Sequence, residues 1–390
     1  MRWSLLLRDC CIVLMDGPSP KARLMIVSWM AFPRIALELA GGRLDSETLL
    51  ERWQTPPAGI RRAKRVLFLT FGTNPSFDYY FRHRIARSGL AAIEVIDTRA
   101  EAPAPARWEG AHIVVCRYLD PRWRRALGRS ATMLAGFTVF IDDDYLALVQ
   151  DPNLPAGYRL RVLRDGVSLL EALPRLQGRL LVSTPALAAR YAPLSPMVLP
   201  PMPGIEAARL PVSPASPVVV FHATASHDAE HAFVVEVARR ILAAGQRVTF
   251  DVVASPHTAN AWQGLPGVVV RAPMAWDHFR ALPDTLGADL LLAPLEDNPL
   301  NRMRSATKAI DAVRLGAAGI FADLAPYHPV REAGPLLPRD VDGWAGEIGA
   351  LLHSKPRLAD RKQRLRRIVE TWATGEAWPP GWNPEAMLVQ

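Results

Sequence analysis

A lysine and an aspartate stand three residues apart, Lys308 and Asp311, in NPLNRMRSATKAIDAVRLGAAGIFAD, residues 298–323, where a polar, basic lead-in runs into a helical pattern and then an apolar strand. Spacing of i and i+3 puts both on one helix face, while Ile310, Val313 and Ala317 mark another that can pack on a sheet. Ser305 is the expected N-cap, which leaves the N–H groups of 306–308 and the positive end of the helix dipole facing outward, a setting that suits a diphosphate. Arg304 and Lys308 add positive charge. In this reading Lys308 meets phosphate, and Asp311, a turn deeper, accepts ribose hydroxyls as acidic residues do in dinucleotide folds. The alternative is a surface Lys–Asp pair, worth only ~0.3 to 0.5 kcal/mol.

Three further stretches carry chemistry-bearing residues. In FIDDDYLA, Asp142, Asp143 and Asp144 follow an apolar run; adjacent carboxylates suit Mg²⁺ or Mn²⁺ on a diphosphate, and equally a helix N-cap by Asp143 or Asp144. In FHATASHDAEH, His222 closes a strand and His227 with Asp228 opens the next helix. Either histidine suits a hydrogen bond to phosphate or sugar, or is polar lining, and Asp228 alone is well placed as an N-cap. FGTNPSFDYYFRHR offers Asn74, Tyr79, Tyr80, Arg82 and His83, a mixture suited to a second substrate, with Phe77 and Phe81 expected in the core.

The elements that must position these residues are regular from residue 64. KRVLFLTF, AAIEVID, AHIVVC, GFTVFID and RLLVST alternate with connecting segments, including a helical stretch from Phe77 to Arg87, as in a doubly wound α/β domain. The proline-rich 192–217 interrupts the pattern and reads as a crossing between domains. The alternation then restarts with PVVVFH, a helix from Asp228 to Ala244, QRVTFDVVA, GVVVRA, ADLLLAPL, a helix from Ser305 and AAGIFAD. Two βα domains in series suit a 390-residue chain, since single cores rarely grow past roughly 250 to 300 residues. The expected segments are an N-terminal extension over 1–62, domains over 63–205 and 206–352, and a helix with a tail over 353–390. Ligands of such sheets sit beyond the carboxyl ends of the strands, and each candidate stretch follows a strand.

Composition narrows the class. With 49% hydrophobic and 22% charged residues the chain reads as soluble and globular. Its net charge of +8 fits nucleic acid, an anionic membrane or phosphorylated substrates alike. Nucleic acid is disfavoured, since there is no zinc-ligand spacing, RNP-like strand or KH-like clamp. KPRLADRKQRLRRIVETW, 355–372, reads as an amphipathic basic helix, either a solvated face of a packed helix or a peripheral membrane contact. Cys10, Cys11 and Cys116 give no disulfide framework and fit a reducing cytoplasm, with Cys116 buried and free. No apolar run is long enough to span a bilayer, and the opening MRWSLLLRDCCIVLMDG is not expected to be a signal peptide.

ADLLLAPLEDNPLNRMRSATKAIDAVRLGAAGIFAD resembles the nucleotide-sugar block of the retaining GT-B glycosyltransferases, and the similarity extends in order through FIDDDYLALVQDPNLP, RLLVSTPALAARY, FHATASHDAEHAFVVEVARRIL and VDGWAGEIGALLHSKPRLADRKQRL. It covers most of 64–372. The resemblance implies two Rossmann-like domains facing a cleft, with the donor on the second and the acceptor on the first. It implies donor contacts from His222, Asn298, Asn301, Arg304, Ser305, Lys308 and Asp311, acceptor-side roles for Asn74, Arg82, Asp142 and Asp144, and catalytic roles for His227, Asp228 and Asp143. Of the two glutamates common in that block, the second position is Asp311 and the first is Met303; the usual Arg and Lys after the first strand of the second domain are replaced by TASHDAEH. The implied activity is transfer of a hexosyl unit from a nucleotide diphosphate sugar, as co-substrate, to a lipid-linked or polysaccharide acceptor, with no cofactor or metal. Two alternatives stand beside it: a metal-dependent DxD transferase, and a GT-B-shaped binding module without turnover.

Overall fold

The computed structural model describes residues 46–54, 61–205, 216–223 and 227–388, apart from the side chain of Asp228, together with the backbone of three short strands, β1 Leu5–Arg8, β2 Cys11–Leu14 and β3 Met25–Ser28, which pair antiparallel. Residues 206–215 of the expected crossing 192–217 and most of the expected extension therefore lie outside the described residues.

The chain divides into two compact units, one of residues 1–77, 87–199 and 378–390, the other of 78–86 and 200–377. This differs from the four consecutive segments expected. Residues 78–86 lie inside a helix read as belonging to the first domain, yet they pack with the second, and the tail after Ala377 packs with the first.

The first unit is built on a six-stranded parallel sheet of β4 (Arg65–Thr70), β5 (Ile93–Asp97), β6 (Ala111–Cys116), β7 (Gly136–Ile141), β8 (Arg179–Val182) and β9 (Met197–Val198), in the order β5-β4-β6-β7-β8-β9. AHIVVC is buried at every position, as a strand covered on both faces must be. Cys116 is buried and in no disulfide. The tail closes this core: Trp382 donates to the Thr138 hydroxyl at 3.0 Å, and the Ala63 N–H donates to the Met387 carbonyl at 2.7 Å.

The second unit holds a five-stranded parallel sheet of β10 (Val218–His222), β11 (Thr249–Val253), β12 (Val268–Arg271), β13 (Leu290–Ala293) and β14 (Ala318–Phe321), ordered β12-β11-β10-β13-β14. Renumbered within the unit this is 3-2-1-4-5, the Rossmann order. Its main helices are α1 (Asp228–Ala243), α2 (Thr307–Arg314), α3 (Val341–His353) and α4 (Lys355–Thr374). Gly316, at φ 67°, ends the turn after α2 in the left-handed region and lets the chain enter β14.

The inserted piece of this unit begins with five residues of π-helix, Asp78–Arg82, between α-helical Pro75–Phe77 and His83–Ser88. Phe77 and Phe81 are buried, as expected. Arg84 is buried and ties the unit's ends together: it donates to the carbonyls of Tyr80 at 2.5 Å, of Pro200 at 2.8 Å, and of Ala377.

Helix α4 buries one of its charges and pairs others at the surface. Arg361 is buried, donating to the Gly319 carbonyl and pairing with Glu347, while Lys362 meets Asp289, Arg364 meets Asp360 and Arg366 meets Glu370. Among the described residues no helix is long and apolar enough to cross a membrane.

Candidate nucleotide and sugar site

In the second unit the strand order reverses between β10 and β13, and the space beyond their carboxyl ends is where such sheets take ligands. Lys308 reaches that point. Its Nζ donates to the His222 carbonyl at 2.7 Å, lies 3.4 Å from Oδ2 of Asp311, and stands 5.9 Å from the centre of the Phe279 ring. The lysine side chain is about a third exposed; that of Asp311 is buried. Asp311 also accepts the Tyr79 hydroxyl at 2.5 Å and has Arg314 at 3.5 Å. It is a buried carboxylate in a basic, hydroxyl-bearing surround, not a surface ion pair. Asp311 borders a shallow surface dimple with Phe279, Leu282, Pro283, Arg314 and Leu315, which does not enclose a nucleotide.

Ser305 is not the N-cap. The helix begins at Thr307, Ala306 takes the cap position, and no side chain closes that end. Ser305 instead exchanges a 2.5 Å hydrogen bond with Tyr80, which holds it away from the first turn.

Arg304 and His227 do meet. Nη1 of Arg304 lies 3.0 Å from Nε2 of His227, and because a guanidinium only donates, that ring nitrogen carries the lone pair. The ring proton is thereby assigned to Nδ1, 3.5 Å from Glu230 Oε1. Glu230 also accepts the Glu296 N–H at 3.1 Å, which joins the first turn of α1 to the loop after β13. Burial lowers the pKa of His227, against the pull of Glu230, so the ring is neutral at pH 7. Burial pushes Glu230 up, but its bonds from His227 and the Glu296 amide prevail and hold it at about 2. Asp228 is the first residue of α1, behind His227 in the cap position, and its side chain lies outside the described residues.

Other expected donor contacts are spent on architecture. His222 is buried, with Nε2 3.0 Å from Asp251, which Arg271 grips at 2.8 and 2.9 Å; only the His222 carbonyl faces Lys308. Burial raises the Asp251 pKa, and the bonds from His222 and Arg271 outweigh it, leaving it below the usual range. Asn298 caps the turn Pro299–Arg302 by accepting the Asn301 N–H at 2.8 Å, and Asn301, buried, donates to the Glu296 carbonyl at 2.9 Å. Both amides shape the loop.

The first unit has its own polar centre beyond β6 and β7. Arg117 adopts φ 68°, a left-handed conformation costly for a side-chain-bearing residue. Its guanidinium pairs with Asp142 and Asp143, each at 2.9 Å, and donates to Ser76 at 3.0 Å. Ser76 in turn donates to Asp142 at 2.5 Å. Burial, with Asp143 alongside, raises the Asp142 pKa against the pull of Arg117. Asp144 points elsewhere: it is buried, caps Tyr145–Gln150, and accepts the Tyr191 hydroxyl at 2.8 Å and Arg190 at 3.2 Å. The three carboxylates thus do not converge, and among the described residues no group of three or more His, Cys, Asp or Glu is arranged to hold a metal ion. Asn74 caps the helix that follows it, accepting the Phe77 N–H at 2.9 Å, and Arg82 pairs with Asp78 at 2.5 Å within the second unit.

Arg117, Glu230, Arg314 and the placement of Tyr79 escaped the sequence reading. Arg117 and Glu230 carried one signal, their position just after a strand or at a helix start; Tyr79 carried none, because its partner is 232 residues away.

No protein-family model and no curated protein sequence matches the chain. Solved structures do. The chain is similar to TarM (TM-score 0.51, 12% identity, 68% of this chain and 53% of TarM) and to a glycosyltransferase from Rickettsia africae ESF-5 (TM-score 0.50, 9% identity, 79% of this chain and 94% of that one). The chain thus spans about half the length of TarM. At such identities the likeness establishes the fold alone: two Rossmann-like α/β domains, the GT-B fold.

Proposed function

We propose that the chain transfers a sugar from a nucleoside diphosphate sugar to an acceptor. The observation that carries this reading is Lys308, a partly exposed cation at the open start of α2, at the switch point of a Rossmann-ordered sheet. Lys308 and Arg304 would neutralise the departing diphosphate, so charge stabilisation supplies most of the rate and no metal is needed. Asp311 would accept a ribose hydroxyl. Neutral His227, whose Nε2 accepts from Arg304 and whose Nδ1–H faces Glu230, would hold the Arg304 guanidinium in position at the diphosphate. Arg117 with Asp142 and Asp143 would line the acceptor side, for which a polysaccharide or lipid-linked glycan is the class we favour, in the cytoplasm.

A binding module without turnover is the second reading, favoured by one observation: Asp311 is already engaged by Tyr79, Lys308 and Arg314. Incubation with UDP- and GDP-sugars in EDTA separates the readings. Release of nucleoside diphosphate supports transfer, whereas thermal stabilisation without release supports the module; a ligand at a hundred times its Kd stabilises by ~2.7 kcal/mol. Binding lost in EDTA and restored by Mn²⁺ would contradict the metal-free scheme.

A further inference from the structure

The Tyr79 hydroxyl and the Asp311 carboxylate have a consequence for ligand choice. Tyr79 is nearly buried, its ring edge-on to Trp276 at 5.4 Å and its carbonyl accepting the Met202 N–H at 2.8 Å. The preceding residue is fixed by the same tryptophan, whose Nε1 donates to Asp78 at 2.7 Å. The phenol is thus held from several sides, with its hydroxyl 2.5 Å from Oδ1 of Asp311. Burial and the neighbouring Asp311 carboxylate raise the Tyr79 pKa well above that of an ordinary phenol, so it remains a donor at neutral pH. A carboxylate that binds a vicinal diol uses both oxygens, one for each hydroxyl. Here Oδ1 accepts the phenol and also faces Arg314 Nη1 at 3.5 Å, one neighbour for each of its two lone pairs, so Oδ2, beside the Lys308 ammonium at 3.4 Å, is the oxygen open to a ligand.

We propose that Tyr79 is a specificity-determining residue: by occupying one oxygen of Asp311 it limits the site to a single sugar hydroxyl of a nucleoside diphosphate. The inference rests on the nucleotide reading given above and deepens it. Wild-type protein then tolerates loss of one of the two ribose hydroxyls, whereas a protein without the phenol holds both and discriminates against either loss.

The test is calorimetric titration of wild type and Tyr79→Phe with UDP and GDP and with their 2′-deoxy and 3′-deoxy forms. Wild type is expected to lose affinity with at most one deoxy form of each nucleotide. Tyr79→Phe is expected to bind the ribonucleotides roughly tenfold tighter and to lose about that factor with each deoxy form, the scale of one hydrogen bond to a charged group. The wild-type arm needs no variant, so a folding defect in Tyr79→Phe leaves the inference testable. Loss of affinity with both deoxy forms in wild type, or the same pattern in the two proteins, overturns the inference and leaves the nucleotide reading standing. No binding of UDP or GDP to either protein overturns both.

Discussion

The ammonium of Lys308 donates to the carbonyl oxygen of His222 at 2.7 Å, tying the first turn of α2 to the end of strand β10. That bond fixes a cation where the sheet's strand order reverses. The same residue faces two ways: its carbonyl meets Lys308 at the strand end, and its ring turns into the core onto Asp251.

Arg84 should be among the most sensitive positions for stability. It joins the carbonyls of Tyr80, Pro200 and Ala377, so Arg84→Ala leaves buried acceptors unsatisfied and should cost about 3 kcal/mol or more. Arg84→Lys should recover little, because an ammonium cannot span three acceptors with the guanidinium's planar fork. Urea denaturation of the two variants checks both statements.

Arg117 separates side-chain from backbone effects. Arg117→Ala loses the ion pairs to Asp142 and Asp143 and keeps the strained φ of 68°, whereas Arg117→Gly loses the same pairs and relieves the strain. The glycine variant should therefore be more stable than the alanine variant by about 1 kcal/mol, measured by the same denaturation.

Acid should destabilise the second unit through two groups of the same sign. His227 has a lowered folded pKa, so the unfolded chain takes up its proton first and stability falls as pH drops below about 6.5. Glu230 is held at about 2 against an ordinary 4.5, so its contribution is full above 4.5 and is lost as pH falls toward 2. That loss is on the order of 3 kcal/mol. Glu230→Gln should flatten the stability profile between pH 4.5 and 2, and an unchanged slope there would contradict the assignment.

Much of this fold can be read from short apolar runs. The strands in AHIVVC, PVVVFH and ADLLLAPL are buried at every position, and a strand so placed is largely apolar. Lys308 and Asp311 are legible as partners for the same reason: one helix face fixes their spacing. What failed depended on contacts distant in sequence. Ser305 is a good cap by type, but Tyr80 holds it elsewhere and the helix starts at Thr307. FIDDDYLA reads as one acidic motif, yet Asp144 serves a helix end while Asp142 and Asp143 serve Arg117. His222 and His227 look alike in sequence, and burial against Asp251 separates them. The π-helical Asp78–Arg82 has no local signature, and with it the placement of Tyr79 was hidden.

The central claim is that Lys308 meets phosphate and Asp311 meets ribose, and calorimetric titration of UDP, GDP, uridine and guanosine against wild type, Lys308→Ala and Asp311→Asn tests it most directly. Lys308→Ala should weaken the diphosphates by roughly tenfold or more, the scale of ~1.5 to 3 kcal/mol for a hydrogen bond to a charged group, and leave the nucleosides nearly unchanged. Asp311→Asn should weaken nucleosides and diphosphates by a similar factor. Equal affinity of UDP and GDP for wild type and Lys308→Ala would contradict the donor site, and with it the transferase.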